Sequence, residues 1–153
     1  MEDKLNLELA SDYGQNGDYK KAVETLSLLV ASHPNSSHLH FELGNAYAHD
    51  KRYENAAKEY QACLRLNADD SEAMLLTAKA YVVVRRFGQA LPYALEYTHR
   101  QPQAAEGYLI LGEAYRGLAK NPEAISALRR AVQPEPSNYD AHYNLGLEAI
   151  WLC

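Results

Sequence analysis

The histidines have the widest chemical repertoire in this sequence, because imidazole can bind a metal ion or transfer a proton near neutral pH. His38 and His40 are two residues apart, a spacing that places them on different faces of a helix. His38 and His49 share a face but lie three turns apart, roughly 16 Å at the rise of an α-helix. No pair has the spacing of metal ligands, so the sequence predicts neither a metal site nor a bound cofactor.

Adjacent carboxylates at Asp69 and Asp70 are the other candidates for chemistry, as a general acid and base. No histidine or further acid is placed to work with them. With Ser71 they resemble a capping segment, where the dipole of the following helix favours negative charge. Glycine-rich phosphate loops and nucleophile elbows are absent from the sequence as well. These patterns favour a protein that is not an enzyme.

The two cysteines, Cys63 and Cys153, are too few for a disulfide framework. Cys63 occupies a position that is apolar elsewhere in the chain, so we expect a buried structural thiol. Cys153 is the last residue, and it could pair between molecules on oxidation.

The charge balance limits the classes of partner. Twenty acidic residues against fifteen basic ones give a formal net charge of −5, with no block of like charges. Nucleic acid is therefore not an expected partner, since phosphate binding needs clustered lysine and arginine. The start of the chain lacks the pattern of a secretory signal, and no apolar run approaches membrane-spanning length. We expect a soluble, cytoplasmic chain with no membrane partner.

A fixed period organises the elements that would have to position any site. Tyrosines recur with residue numbers that differ by 34, and alanines do the same later in each copy. Small residues stand three positions before each tyrosine. Such a period is typical of a stacked array of repeats. The repeated tyrosines and alanines are Tyr13, Tyr47, Tyr81, Tyr115, Ala22, Ala56, Ala90 and Ala124.

Apolar spacing and turn residues predict two antiparallel helices in each copy, near 3–16 and 18–32 and then 37–50 and 52–67. Asp18, and either Asn35 or Ser36, are available as helix caps, and Gly44 allows close approach of the paired helices. Pro92 predicts a kink near residues 88–92 or a late start of its helix. Pro134 predicts a helix end near Val132.

The order Leu43-Gly44, Tyr47, Tyr53, Ala56 and Tyr60, with a small residue at Cys63, resembles the tetratricopeptide repeat family. The resemblance covers nearly the whole chain. It implies an all-α fold, a right-handed α-α superhelix of helix-turn-helix repeats in a single array. The repeats would span 3–36, 37–70, 71–104 and 105–138, with the first helix of a partial fifth repeat at 139–153.

The resemblance also implies a function, because first helices in this family line a concave groove that takes peptides. We therefore expect a protein-interaction scaffold that binds a partner peptide. Its groove would be an apolar stripe edged with Asn45, Lys79 and Arg116, which suits hydrophobic anchors and some acidic or carboxylate character. The alternative for each apolar position is that it packs neighbouring helices. Transferring the family's groove positions gives Leu7, Phe41, Asn45, His49, Leu75, Lys79, Val82, Val83, Leu109, Glu113 and Arg116.

One specialisation of the family is the carboxylate clamp that grips chaperone C-terminal tails. Of its five positions only Asn45 matches in the best register. Glu72 and Glu106 stand where a lysine should attract the carboxylate, in one register each. A chaperone tail is therefore a disfavoured partner.

A second hypothesis concerns the end of the chain, where the partial repeat has no second helix to cover it. The array would then be a structural module that self-associates, as a homo-oligomer, or docks through this last helix, or it would be a fragment of a longer array. The apolar residues of that surface are Leu147, Ile150, Trp151 and Leu152.

Overall fold

The computed structural model describes residues 2–132, and all eight regular elements in that range are α-helices. The first four begin and end within one or two residues of the bounds expected from the apolar spacing. The helices are α1 Glu2–Gln15, α2 Tyr19–Ser32, α3 Ser37–His49, α4 Tyr53–Leu66, α5 Ser71–Val83, α6 Phe87–Arg100, α7 Ala105–Gly117 and α8 Asn121–Val132.

The turn inside each helix pair has a left-handed residue at the same position of the period. Gly17 has φ 78°, and the equivalent residues Lys51, Arg85 and Ala119 have φ of 62°, 61° and 58°. The amide after each of these residues donates to the carbonyl of the repeated tyrosine, as from Asp18 N to Tyr13 O at 2.8 Å. This six-residue closure satisfies a carbonyl that the ending helix leaves without a partner.

Side-chain caps begin α2, α3 and α5. Asp18 accepts from the Lys21 amide, Ser36 accepts from the Leu39 amide at 3.3 Å, and Asp70 accepts from the Ala73 amide at 2.9 Å. The predicted capping roles of Asp18 and Ser36 are therefore confirmed, and Asp70 is the residue of the expected capping segment that caps α5.

The chain divides by its internal contacts into two compact units, Met1–Ala80 and Tyr81–Cys153, called unit 1 and unit 2 below. In unit 1, α1 packs against α2, α2 against α3, and α3 against α4. The apolar faces of α1, α2 and α3 enclose one core. Its buried members are Ala10, Ala22, Val23, Leu26, Leu29, Leu39, Leu43 and Ala46, with Leu7, Tyr13, Val30 and Tyr47 packed around them.

Gly44 lets α3 and α4 approach as expected. A Cβ atom built on Gly44 would lie 2.5 Å from Cε1 of Tyr60, so only glycine leaves room for that ring. Unit 2 exchanges the positions of large and small residues, because Ala94 is fully buried and the ring of Tyr97 lies against Gly107. The ring of Tyr97, three residues later, supplies the volume that the small side chain of Ala94 lacks.

The helix that contains Pro92 begins at Phe87, in phase with the starts of α2 and α4. The expected alternative of a late start is wrong, because Pro92 falls inside a helix that runs on to Arg100. Whether the helix bends there stays a prediction.

Cys63 is buried, as expected, at 1% exposure. Several other expectations fall outside the described residues. They are the effect of Pro134, the partial repeat 139–153, the apolar surface of Leu147, Ile150, Trp151 and Leu152, and the pairing of Cys153. The described part of α8 reaches Val132, where the described range itself ends.

Candidate functional site

A pocket of about 550 Å³ lies in unit 1 between the first helices α1 and α3, with the start of α2 closing one side. Its lining combines buried apolar side chains with polar ones from α1 and α3. The lining residues are Leu7, Ala10, Ser11, Gly14, Gln15, Tyr19, Ala22, Leu26, His38, Glu42, Asn45, Ala46 and His49.

Helical spacing explains which α3 residues reach this pocket. Positions 38, 42, 45 and 49 recur at intervals of four, three and four residues, so their side chains share one face of α3. Beneath them lie small buried residues, among them Ala10 from α1 and Ala46 from α3. The result is an apolar floor with polar groups above it, the usual composition of a binding pocket.

The ring of Tyr19 stacks on the ring of His49, with centroids 5.1 Å apart and planes 12° apart. Tyr19 is the first residue of α2 and His49 the last of α3. The two helices run antiparallel, so these ends meet and the rings form one wall of the pocket.

Asn45 is oriented by a hydrogen bond from the core. The hydroxyl of Tyr60, which is 1% exposed, donates to Oδ1 of Asn45 at 2.8 Å. Burial raises the pKa of Tyr60 well above its usual value, and the charges of Glu42 and Glu72 add to the shift. The phenol therefore stays protonated and remains a donor.

Glu42 is the one formally charged side chain of this lining, with the histidines neutral. The side chain is half-buried. Within residues 2–132 Glu42 makes no hydrogen bond or ion pair. A pocket carboxylate that has no hydrogen-bond or ion-pair partner is a recognition group for a cation.

Unit 2 has a pocket of about 410 Å³ built from equivalent positions two repeats later. Val82, Phe87, Glu113 and Gly117 take the places of Gly14, Tyr19, Asn45 and His49. The ring of Phe87 lies directly over Gly117, where a Cβ atom would overlap its Cγ and Cδ2. The lining also contains two exposed arginines, so its charge differs from that of unit 1. The full lining is Val82, Arg85, Phe87, Glu113, Arg116 and Gly117.

The two pockets contain part of the expected groove. Leu7, Asn45 and His49 line the pocket of unit 1. In unit 2 the pocket is lined by the expected Val82, Glu113 and Arg116.

The other expected groove residues line neither pocket. Phe41 is half-buried, with its ring tilted against that of Tyr60 at 5.8 Å, and Leu75 is only 8% exposed. These two side chains pack against neighbouring residues, which is the alternative to a place on an open groove surface. Lys79 and Val83 are exposed and Leu109 is half-buried.

Among the residues of the unit 1 pocket that sequence reasoning missed are Tyr19, His38 and Glu42. An aromatic residue at the start of the second helix recurs as Tyr53 and Phe87, and this signal could have identified Tyr19. His38 and Glu42 lie on a row of α3 next to the one transferred from the family.

Two further properties bear on function. Among the residues that the structure describes, no group of three or more histidine, cysteine, aspartate or glutamate side chains is arranged to hold a metal ion. None of the helices within residues 2–132 combines the length and apolarity needed to cross a membrane.

Among curated proteins, the chain is similar to the BBSome complex member BBS4 homolog of Drosophila melanogaster, at 28% identity over 140 residues. The aligned region is 91% of this chain but only 29% of that protein, so the chain spans less than a third of its relative.

Solved structures of similar fold include MamA from Desulfovibrio magneticus RS-1, with a TM-score of 0.93, 22% identity and coverage of 98% of this chain and 85% of that one. YrrB, described as a TPR protein with an unusual peptide-binding site, superposes with a TM-score of 0.83 at 17% identity, covering 96% of this chain and 76% of YrrB. At these identities the likeness establishes the fold.

The tetratricopeptide repeat model matches residues 7–71, 75–134 and 114–147. With its paired helices and 34-residue period, this chain belongs to the tetratricopeptide repeat family.

Proposed function

We propose that this chain is a non-enzymatic interaction scaffold that binds a peptide segment of a partner protein in the unit 1 pocket. The observation that carries the proposal is the placement of Asn45 above an apolar floor, held there by the buried hydroxyl of Tyr60. The expected cytoplasmic location is part of the same proposal.

The Asn45 amide suits the recognition of a peptide backbone. Its oxygen is engaged by Tyr60, so its NH₂ group is directed to donate elsewhere. A peptide carbonyl is a natural acceptor, because every residue of an extended peptide carries one that needs a partner. The floor around Ala10 and Ala46 then takes a side chain of the same peptide.

The relatives support an interaction role. YrrB is described as having a peptide-binding site, and the Drosophila relative as a member of a complex. Members of the tetratricopeptide repeat family bind protein or peptide partners, and the family is generally not catalytic.

A selection from a library of random peptides displayed on phage tests the proposal. We expect peptides enriched on the natural chain to lose capture on Asn45→Ala. The matched control is Asn55→Ala, which alters a half-buried asparagine of α4 outside both pockets. Helicity measured by circular dichroism should be the same for all three proteins. Enriched peptides that bind the Asn45 variant as well as the natural chain would refute the site.

The second hypothesis, self-association through Leu147, Ile150, Trp151 and Leu152, is independent of this pocket. Light scattering over a wide concentration range, with Trp151 emission followed in the same samples, tests it. A strictly monomeric chain with red-shifted emission would rule out self-association there.

A further inference from the structure

We infer that the unit 1 pocket selects a basic side chain, lysine or arginine, from the peptide that it binds. The inference rests on the proposed function and adds the chemistry of the anchoring side chain. It differs from the acidic character expected from the sequence, which was drawn from Asn45, Lys79 and Arg116. Of these three residues only the uncharged Asn45 lines this pocket.

Glu42 supplies the charge for this selection. Glu42 is half-buried as a residue, and its carboxylate makes no hydrogen bond or ion pair within residues 2–132. The described lining contains no lysine or arginine that could neutralise it. Withdrawing a carboxylate further from water under a bound peptide is costly unless a cation pairs with it. An acidic anchor would be repelled, and an apolar one would leave Glu42 buried and unpaired.

The apolar floor of the pocket suits the aliphatic stem of a basic side chain. Ala46 lies one turn after Glu42 on α3, and Ala10 of α1 lines the same pocket, so small apolar side chains share the lining with the carboxylate. Lysine and arginine carry an aliphatic stem that packs on apolar surface while the charged head reaches a polar group. One residue type therefore satisfies both the floor and the carboxylate.

The unit 2 pocket provides an internal contrast. Its lining has the same aromatic and turn positions, but it contains Arg85 and Arg116 together with a single acid, Glu113. Positive charge predominates there, so a basic anchor has no comparable attraction. The preference for lysine and arginine should accordingly depend on residue 42 alone.

The test selects phage-displayed random peptides on the natural chain, Glu42→Gln and Glu42→Lys, keeping only peptides whose capture is lost on Asn45→Ala. The charge control is Glu24→Lys, which makes the same change at an exposed position of α2 outside the pocket. We expect enrichment of lysine or arginine at one peptide position on the natural chain and on the Glu24 variant. Glu42→Lys should enrich aspartate or glutamate at that position.

One enriched peptide is then synthesised with its basic residue or with norleucine in that place. On the natural chain we expect the norleucine peptide to bind at least tenfold more weakly, and on Glu42→Gln the two peptides should bind alike. Circular dichroism establishes whether each variant is folded. If Glu42→Lys does not fold, the nearly isosteric Glu42→Gln still provides the comparison of the two peptides.

The outcomes separate the two proposals. Enriched peptides that depend on Asn45 but show no bias toward basic residues, or bind Glu42→Gln without loss, would overturn the basic anchor and leave peptide binding standing. If no peptide is enriched, or none depends on Asn45, the proposed function fails and the basic anchor fails with it.

Discussion

The buried hydroxyl of Tyr60 donates a 2.8 Å hydrogen bond to Oδ1 of Asn45, so a core residue of α4 orients a pocket residue of α3. The same ring occupies the space that Gly44 leaves open. The packing of the core and the proposed recognition of a peptide therefore depend on the same side chain. A change to the Tyr60 hydroxyl should be visible at the pocket, and a change to its ring should be visible in the stability of the unit.

Tyr60→Phe keeps the ring and removes the donor. We expect the free energy of unfolding to fall by about 1 kcal/mol, the usual net value of a hydrogen bond. Asn45 also loses its orientation, so the dissociation constant of a selected peptide should rise about fivefold, which corresponds to about 1 kcal/mol. Urea unfolding followed by circular dichroism and fluorescence anisotropy of a labelled peptide measure the two effects.

The control for this change is Tyr53→Phe. Tyr53 is half-buried at the start of α4, and its hydroxyl makes no hydrogen bond within residues 2–132. Neither stability nor peptide affinity should change. An unchanged peptide affinity in the Tyr60 variant would show that the hydrogen bond does not prepare Asn45 for binding.

Gly44→Ala tests the close approach of α3 and α4. The new methyl group would lie 2.5 Å from Cε1 of Tyr60, so the ring has to move within a packed core. We expect a loss of about 1–3 kcal/mol in the free energy of unfolding, as is typical of overpacking. Gly14→Ala in α1 is the matched control, because nothing lies within 4 Å of its added Cβ. There the better helix propensity of alanine should raise stability by about 0.5–1 kcal/mol.

The positions of the helices could be predicted from the sequence because each copy repeats the same apolar spacing, and because Asp18, Ser36 and Asp70 mark helix starts in the first three copies. The left-handed turn position was visible only at Gly17. Lys51, Arg85 and Ala119 adopt the same backbone without glycine, since the closing hydrogen bond to the repeated tyrosine imposes it. Composition alone therefore does not reveal this geometry.

The candidate site was predictable only in part. The row transferred from the family placed Asn45 and His49 at the pocket, but it also included Phe41, whose ring packs on Tyr60. Which row of a helix faces a pocket depends on side chains of the next helix, and these are distant in sequence. Tyr19 comes from a second helix, a source that the family pattern does not consider.

Gly117→Ala tests the contact that replaces the ring stack of unit 1. The added methyl group would overlap Cγ and Cδ2 of Phe87, atoms near the fixed end of that side chain. We expect a loss of about 1–3 kcal/mol in the free energy of unfolding. In a Phe87→Ala background the same substitution should cost less, because the overlap is gone. A double-mutant cycle from urea unfolding measures this difference, and equal costs in both backgrounds would contradict the contact.

Cys63 should make the protein sensitive to alkaline pH. Burial raises the pKa of its thiol to about 11, and Asp70 adds to the shift through its charge and through the hydrogen bond that it accepts from the thiol. The unfolded chain ionises near the ordinary value of 9.0. The contribution of this thiol to the free energy of unfolding is therefore fully present below pH 9, and it is lost as the pH rises toward 11.

Urea midpoints measured from pH 8 to 10.5 test this dependence in chains that carry Cys153→Ser. We expect a steeper alkaline decline with Cys63 than with Cys63→Ala. Tyr60 contributes a decline of the same sign in both chains, because burial also raises its pKa. Parallel curves for the two chains would exclude a contribution from the Cys63 thiol.

Ala119→Gly should raise the free energy of unfolding, although replacing alanine by glycine usually lowers it. Ala119 has φ 58°, a left-handed conformation that costs a residue with a Cβ atom roughly 1 kcal/mol. Glycine removes that cost at the same turn. The matched control is Ala31→Gly at an exposed position of α2, where the same substitution should lose about 1 kcal/mol of helix propensity. Circular dichroism during urea unfolding should show opposite shifts of the midpoint, and losses of equal size at both positions would mean that the turn at Ala119 is not strained.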